Sequence, residues 1–155
     1  MRQNINRIDH VVWIAHLENQ TACVRKLSEM FRVEFLGPCL QHHMGMQVCV
    51  SWEGGLEVIA PIDEDTPQAN SLRAHLKERG EGFFAVVFGV PDIEEARDHM
   101  LKLGYDAGEV VPSTGKEPWL HQVGVFKEVI FGEFLGTLMA LGEITYPDKP
   151  VSSSA

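Results

Sequence analysis

The chain has 155 residues, 45% hydrophobic and 23% charged, which is the make-up of a globular protein that can bury one core or two small units sharing one. Its formal net charge of −9 excludes nucleic acid and anionic membranes as main partners, and no run approaches the ~20 apolar residues of a membrane-spanning helix. Cys23, Cys39 and Cys49 are odd in number and lack metal-type spacing, and the start MRQNINR lacks a secretory signal's apolar stretch, so a cytoplasmic protein with reduced thiols is expected.

The first predicted strand, about Arg7 to Ile14, places Ile8, His10, Val12 and Ile14 on one face, with Asp9, Val11 and Trp13 on the other. A helix from about Leu17 to Phe31 follows, with Cys23, Leu27, Met30 and Phe31 as its apolar stripe. A second strand, RVEFLG, stops at Gly37-Pro38. The third, MQVCVSW, turns at Glu53-Gly54-Gly55 into a fourth, Leu56 to Ala60, on which Glu57 and Ile59 share a face. Thr66 then caps a short helix with Pro67 at its first position and Gly80 at its end.

The pattern now repeats. Strand FFAVVFGV begins at Gly82, and a helix opens at Asp92 with Glu95 completing a capping box and Gly104 closing it. Ile93, Ala96, Met100 and Leu103 form its apolar stripe. Strands are expected near Ala107 to Val111, in either His121 to Lys127 or Val129 to Phe131, and from Leu135 to Gly142. The chain thus divides into a first βαβββ module (7–60), a linker with a short helix (61–81), a second βαβββ module (82–143) and a flexible tail (144–155). Neither four-stranded unit can bury both of its faces alone, so the class expected is α+β, two tandem modules forming one curled mixed sheet around a shared trough.

Overlaying the copies sets Ile8 on Phe83, Val12 on Val87, His10 on Ala85 and Glu57 on Ala140. One copy carries a His and a Glu where the other carries two alanines. His10 and Glu57 should point into the trough, because Val11, Trp13, Leu56 and Val58 supply the helix-packing side. Phe83, Ala85, Val87, Leu138, Ala140 and Met44 or Met46 would line the same hollow as the substrate-binding wall, giving it an apolar character with few polar anchors. His42 and His43 precede the third strand, and His121, Glu133 and Glu143 lie near the second module's later strands.

The repeat, its order and its linker resemble the vicinal oxygen chelate superfamily of glyoxalases, epimerases, ring-cleaving dioxygenases and bleomycin-resistance proteins. The resemblance spans about Ile8 to Leu141 and is nearest to the methylmalonyl-CoA epimerase-like branch in IDHVVW, LEVIAPIDEDTPQANSLRAHLKERGEGF and VPDIEEARDHM. It implies a divalent metal held from the first and fourth strands of each module. Carried over, those positions are His10 and Glu57, which can ligate, and Ala85 and Ala140, which cannot. The dioxygenase chemistry therefore fails. The resemblance also implies that His43 occupies the place of an epimerase acid or base, and that the protein is a homodimer.

Two functions follow. One is an isomerase or lyase that abstracts a proton next to a carbonyl on a small, largely apolar substrate, with Glu57 or His43 as the catalytic group and His10 and Glu57 as an incomplete metal site. The other is a non-catalytic protein of the bleomycin-resistance type that binds a drug-like or aromatic ligand.

Overall fold

The computed structural model describes residues 1–148. Nine strands and three helices follow in chain order: β1 (Arg2–Gln3), β2 (Ile8–Ile14), α1 (Leu17–Phe31), β3 (Leu36–Gln41), β4 (Met46–Ser51), β5 (Leu56–Pro61), α2 (Pro67–Arg79), β6 (Gly82–Gly89), α3 (Ile93–Lys102), β7 (Val111–Pro112), β8 (Phe126–Phe134) and β9 (Thr137–Tyr146). The sheet runs β3-β4-β5-β2-β6-β9-β8-β7, with β1 added against β9. Each module lays its first strand parallel to its last, β2 beside β5 and β6 beside β9. The modules join where β2 and β6 run antiparallel. This is the α+β curled mixed sheet of two βαβββ units that the repeat predicts. No helix among the described residues is long and apolar enough to cross a membrane.

The register preserves the repeat. Val12 lies beside Glu57, and Val87 lies beside Ala140 at the equivalent place in the other module. Val12, Ile14, Val48, Val50, Ile59, Val87 and Ala140 then face a core that α2 closes with Leu72 and Leu76. The Thr66 hydroxyl accepts from Ala69 N at 3.0 Å and starts α2 as a side-chain cap should. Asp92 does the same for α3, accepting from Glu95 N at 2.9 Å.

Several elements depart from the sequence reading. Strand β3 begins at Leu36 and runs through Gly37-Pro38 instead of stopping there. It is the edge strand, where a proline's missing donor costs no ladder bond, and a register shift between Leu36 and Cys39 absorbs the irregularity. Met30 and Phe31 are exposed, as is Leu103. The inward side of α1 instead centres on Gln20, whose amide donates to the carbonyls of Val58 at 2.8 Å and Gln47 at 3.0 Å. Strand β9 continues to Tyr146, beyond the boundary drawn at 143, because Tyr146 and Thr145 pair with Arg2 and Gln3 of β1. The remainder of the expected flexible tail, 149–155, lies outside the described residues.

Candidate active site

His10 is the centre of the trough and is almost completely buried. Its Nδ1 donates to Asp9 Oδ1 at 2.9 Å. Its Nε2 lies 3.1 Å from Glu57 Oε2 and 3.4 Å from Glu128 Oε1, too poorly aligned with either oxygen for a regular hydrogen bond. The Trp52 ring stands edge-on to the imidazole at 5.4 Å and packs in turn on Trp119, Phe126 and Tyr146. His10 is therefore an imidazolium-forming group in a wall of aromatic rings with three carboxylates around it.

The charges follow from that placement. Burial alone would strip the proton from His10, but Asp9, Glu57 and Glu128 together hold it on up to about 10. Burial likewise works against ionised Asp9, yet the His10 bond, with those from Tyr146 and Asn4, keeps its carboxyl below the usual range. Burial pushes Glu128 up to about 7, and the opposing pull of His10 is offset by the negative charges of Glu57 and Asp9. Glu128 consequently keeps a proton near neutrality beside a cation fixed in place.

Sequence alternation placed Asp9 on the opposite face, and the structure corrects this. A bulge between Ile8 and His10 inserts one residue in β2, so Asp9 and His10 both turn inward and Ile8 is exposed. A second irregularity, between the Val12–Ala85 and Trp13–Phe83 pairs, does the same in β6. Phe83 is therefore not a lining residue: it is 47% exposed and meets Trp13 edge-on at 5.7 Å. Phe84 lines the cavity in its place.

Two cavities meet at the carboxylates. The wide lobe, about 210 Å³, is lined by His10, Glu57, Glu128, Ala85, Val87, Leu138, Ala140 and Met46 together with Phe84 and Leu72. The narrow lobe, about 70 Å³, lies toward His43, Gln41, Thr114, Glu117 and Trp119. Glu57, Glu128, Met44 and Met46 belong to both. The structure thus brings together every predicted site residue except Phe83. His43 is exposed at the rim, on a single 3-10 turn, His42–Met44, that Gly45 closes. Gly45 has φ +61°, and a Cβ there would fall 2.6 Å from Ala69 Cβ, so only glycine lets the turn pack on α2.

The other candidates face elsewhere. His42 pairs with Glu64 through a short contact. His121 Nδ1 donates to the Pro118 carbonyl, Glu133 pairs with Arg79, and Glu143 accepts from Ile93 N at the start of α3. Two functional groups escaped the sequence reading, Asp9 and Glu128. The signal for Glu128 was alternation along Phe126, Glu128 and Ile130, which becomes visible only once β8 is known to begin at Phe126.

The metal implied by the resemblance does not fit this donor set. Ala85 and Ala140 carry no donor atom, so the second module supplies neither of the two ligands that the resemblance would take from it. Among the described residues no group of three or more His, Cys, Asp or Glu side chains is arranged to hold a metal ion.

No family model matches the sequence, and no curated protein matches it. Solved structures do. A hypothetical protein from Bacillus halodurans aligns over 93% of this chain and 98% of its own at 17% identity and a TM-score of 0.70. Methylmalonyl-CoA epimerase from Mycobacterium tuberculosis aligns over 95% and 93% at 15% identity and a TM-score of 0.66. The Streptomyces coelicolor methylmalonyl-CoA epimerase in complex with 2-nitronate-propionyl-CoA aligns over 93% and 99% at 19% identity and a TM-score of 0.65. The chain therefore has the paired βαβββ fold seen in methylmalonyl-CoA epimerases, as the resemblance implied.

Proposed function

We propose that this chain catalyses proton transfer at a carbon next to a carbonyl, in an isomerase or lyase reaction on a small, largely apolar compound. The observation that carries this reading is the pair Glu57 and Glu128 flanking His10 Nε2 where the two lobes meet. Both carboxylates are part exposed, at 16% and 25%, so each can reach a bound molecule. Glu57 takes the proton from carbon as the general base. Electron density then moves onto the carbonyl oxygen, where the fixed positive charge of His10 stabilises it without solvent rearrangement. Glu128, which retains a proton near neutrality, returns one to the carbon or the oxygen. Asp9 touches no reacting atom and acts by holding the His10 ring and its charge. His43, exposed at the rim of the narrow lobe, exchanges protons between the cleft and water.

The test is solvent-deuterium incorporation at the α-carbon of a panel of neutral carbonyl compounds, followed by proton NMR. Glu57→Gln should slow exchange by about 100-fold or more, the usual contribution of a positioned base. Exchange that survives Glu57→Gln unchanged would remove Glu57 from the chemistry.

A second reading, ligand binding without turnover, is favoured by one feature. Ala85 and Ala140 leave the wide lobe apolar and of a size to hold a ring. Tight binding of an aromatic compound together with no exchange into any α-acidic carbonyl would select it.

A further inference from the structure

We propose that the cleft sorts its ligands by charge: the group seated at Glu57 and Glu128 is uncharged or cationic, its apolar body fills the wide lobe, and carboxylates and coenzyme A thioesters are refused. The proposal deepens the reading above, since it rests on the same cleft being a ligand site.

The cluster is short of positive charge. Three carboxylates, Asp9, Glu57 and Glu128, surround one imidazole. Even with His10 carrying its full charge, the balance with all three ionised is negative. Glu117 adds a further carboxylate to the narrow lobe. Among the described residues neither lobe is lined by a lysine or an arginine. An anion entering here meets like charge at short range in a poorly solvated space, and the one cation in the cluster, His10, already faces three carboxylates.

The surroundings repeat the message. A coenzyme A thioester brings several phosphate charges that need basic groups near the cleft mouth. Two cations of α2, the helix that closes the trough, are already spent within the fold. Arg73 donates to the carbonyls of Ile62 and Glu64 and to Asn70 Oδ1, each at 2.7 Å. Arg79 donates to the Gly136 carbonyl at 2.9 Å and pairs with Glu133 at 3.2 Å. The wide lobe, at about 210 Å³, exceeds the roughly 150 Å³ that accommodates benzene in a protein interior, so a substituted ring is the natural occupant.

Acetophenone, benzylamine and benzoate form a size-matched series that is neutral, cationic and anionic. Each is titrated into nitrogen-15-labelled protein at neutral pH, following the Ala85 and Ala140 amides and the Trp52 and Trp119 indole N–H signals, with acetyl-CoA as a fourth probe. Acetophenone and benzylamine should bind at least about ten-fold more tightly than benzoate, and acetyl-CoA should leave the Ala85 and Ala140 amides unmoved. The double variant Glu57→Gln, Glu128→Gln should bring benzoate to within about three-fold of acetophenone. Benzoate or acetyl-CoA binding as well as acetophenone overturns the proposal, and so does a cleft that none of the four perturbs. If the double variant fails to fold, the order in the unaltered protein still decides. The expected charge order without any deuterium exchange would sink the proton-transfer reading and leave this one standing.

Discussion

The Tyr146 hydroxyl donates to Asp9 Oδ1 at 2.7 Å, joining residues 137 apart in the chain. The same Asp9 oxygen accepts from His10 Nδ1, while its other oxygen accepts from Asn4 at 3.0 Å. The last strand of the sheet therefore holds the group that holds His10. Burial, with the Asp9 charge next, pushes the Tyr146 phenol well above its usual value, so it stays a donor throughout the working range. Tyr146→Phe removes that donor from a buried carboxylate and should cost about 1.5–3 kcal/mol, the range for a hydrogen bond to a charged group. Urea unfolding reads this as a lower midpoint with an unchanged slope. An unaltered midpoint would mean that Asn4 and His10 suffice to satisfy Asp9.

The same cluster sets a pH dependence whose sign is unusual. His10 is raised from 6.5 to about 10, so its contribution is complete below about 6.5 and is lost as pH rises through 10. Glu128 is raised from 4.5 to about 7, so the folded state gives up stability as that carboxyl ionises between those values. Both groups bind protons more tightly folded than unfolded, and stability should fall steadily from about pH 5 to pH 10. Glu128→Gln should flatten the lower part of that slope, and His10→Gln the upper part. Equilibrium unfolding across the range checks it, and a stability rising from pH 5 to 7 would contradict the assignment of Glu128.

The sequence carried the architecture because the architecture is written twice. Strand periodicity, the Thr66 and Asp92 caps and the repeat itself all point to one sheet, and the register keeps Glu57 and Ala140 in equivalent places. The site was less legible, and for a local reason. Period-two alternation assumes an unbroken strand, whereas β2 and β6 each carry an irregularity at the trough. One swings Asp9 inward, and the other exchanges Phe83 for Phe84. Glu128 was hidden differently. Its segment held no clear boundary, and a glutamate flanked by Lys127 reads as surface until its partner His10 is seen 3.4 Å away.

The loop that roofs the narrow lobe is folded around Glu117. Its carboxylate accepts from Thr114 N, Thr114 Oγ1 and Ser113 Oγ, each at 2.8 Å, and from Lys116 N at 3.1 Å. Burial works against the charge, but these donors hold Glu117 down to about 2. A depressed carboxylate gives stability above its unfolded value of 4.5 that disappears as pH falls toward 2. Glu117→Gln at neutral pH should reproduce acid at this one place. Amide hydrogen exchange should quicken at 114–116 while the strands keep their protection. Unchanged exchange in that loop would show that Glu117 does not organise it.

Ala85 and Ala140 stand where the resemblance would put two metal ligands, and each faces the wide lobe with almost no exposure. Adding three carbons to a packed core normally costs about 1–3 kcal/mol through forced rotamers and backbone shifts. Ala140→Leu should behave otherwise, because a cavity of about 210 Å³ receives the added atoms. Thermal unfolding should stay within about 1 kcal/mol of the unaltered protein, or rise as cavity filling allows. Ligand titration of the same variant should show binding in the wide lobe abolished, since the new side chain occupies the ligand's place. A large loss of stability would mean that the lobe collapses onto itself in solution, and that the alanines are packing residues rather than the floor of a binding site.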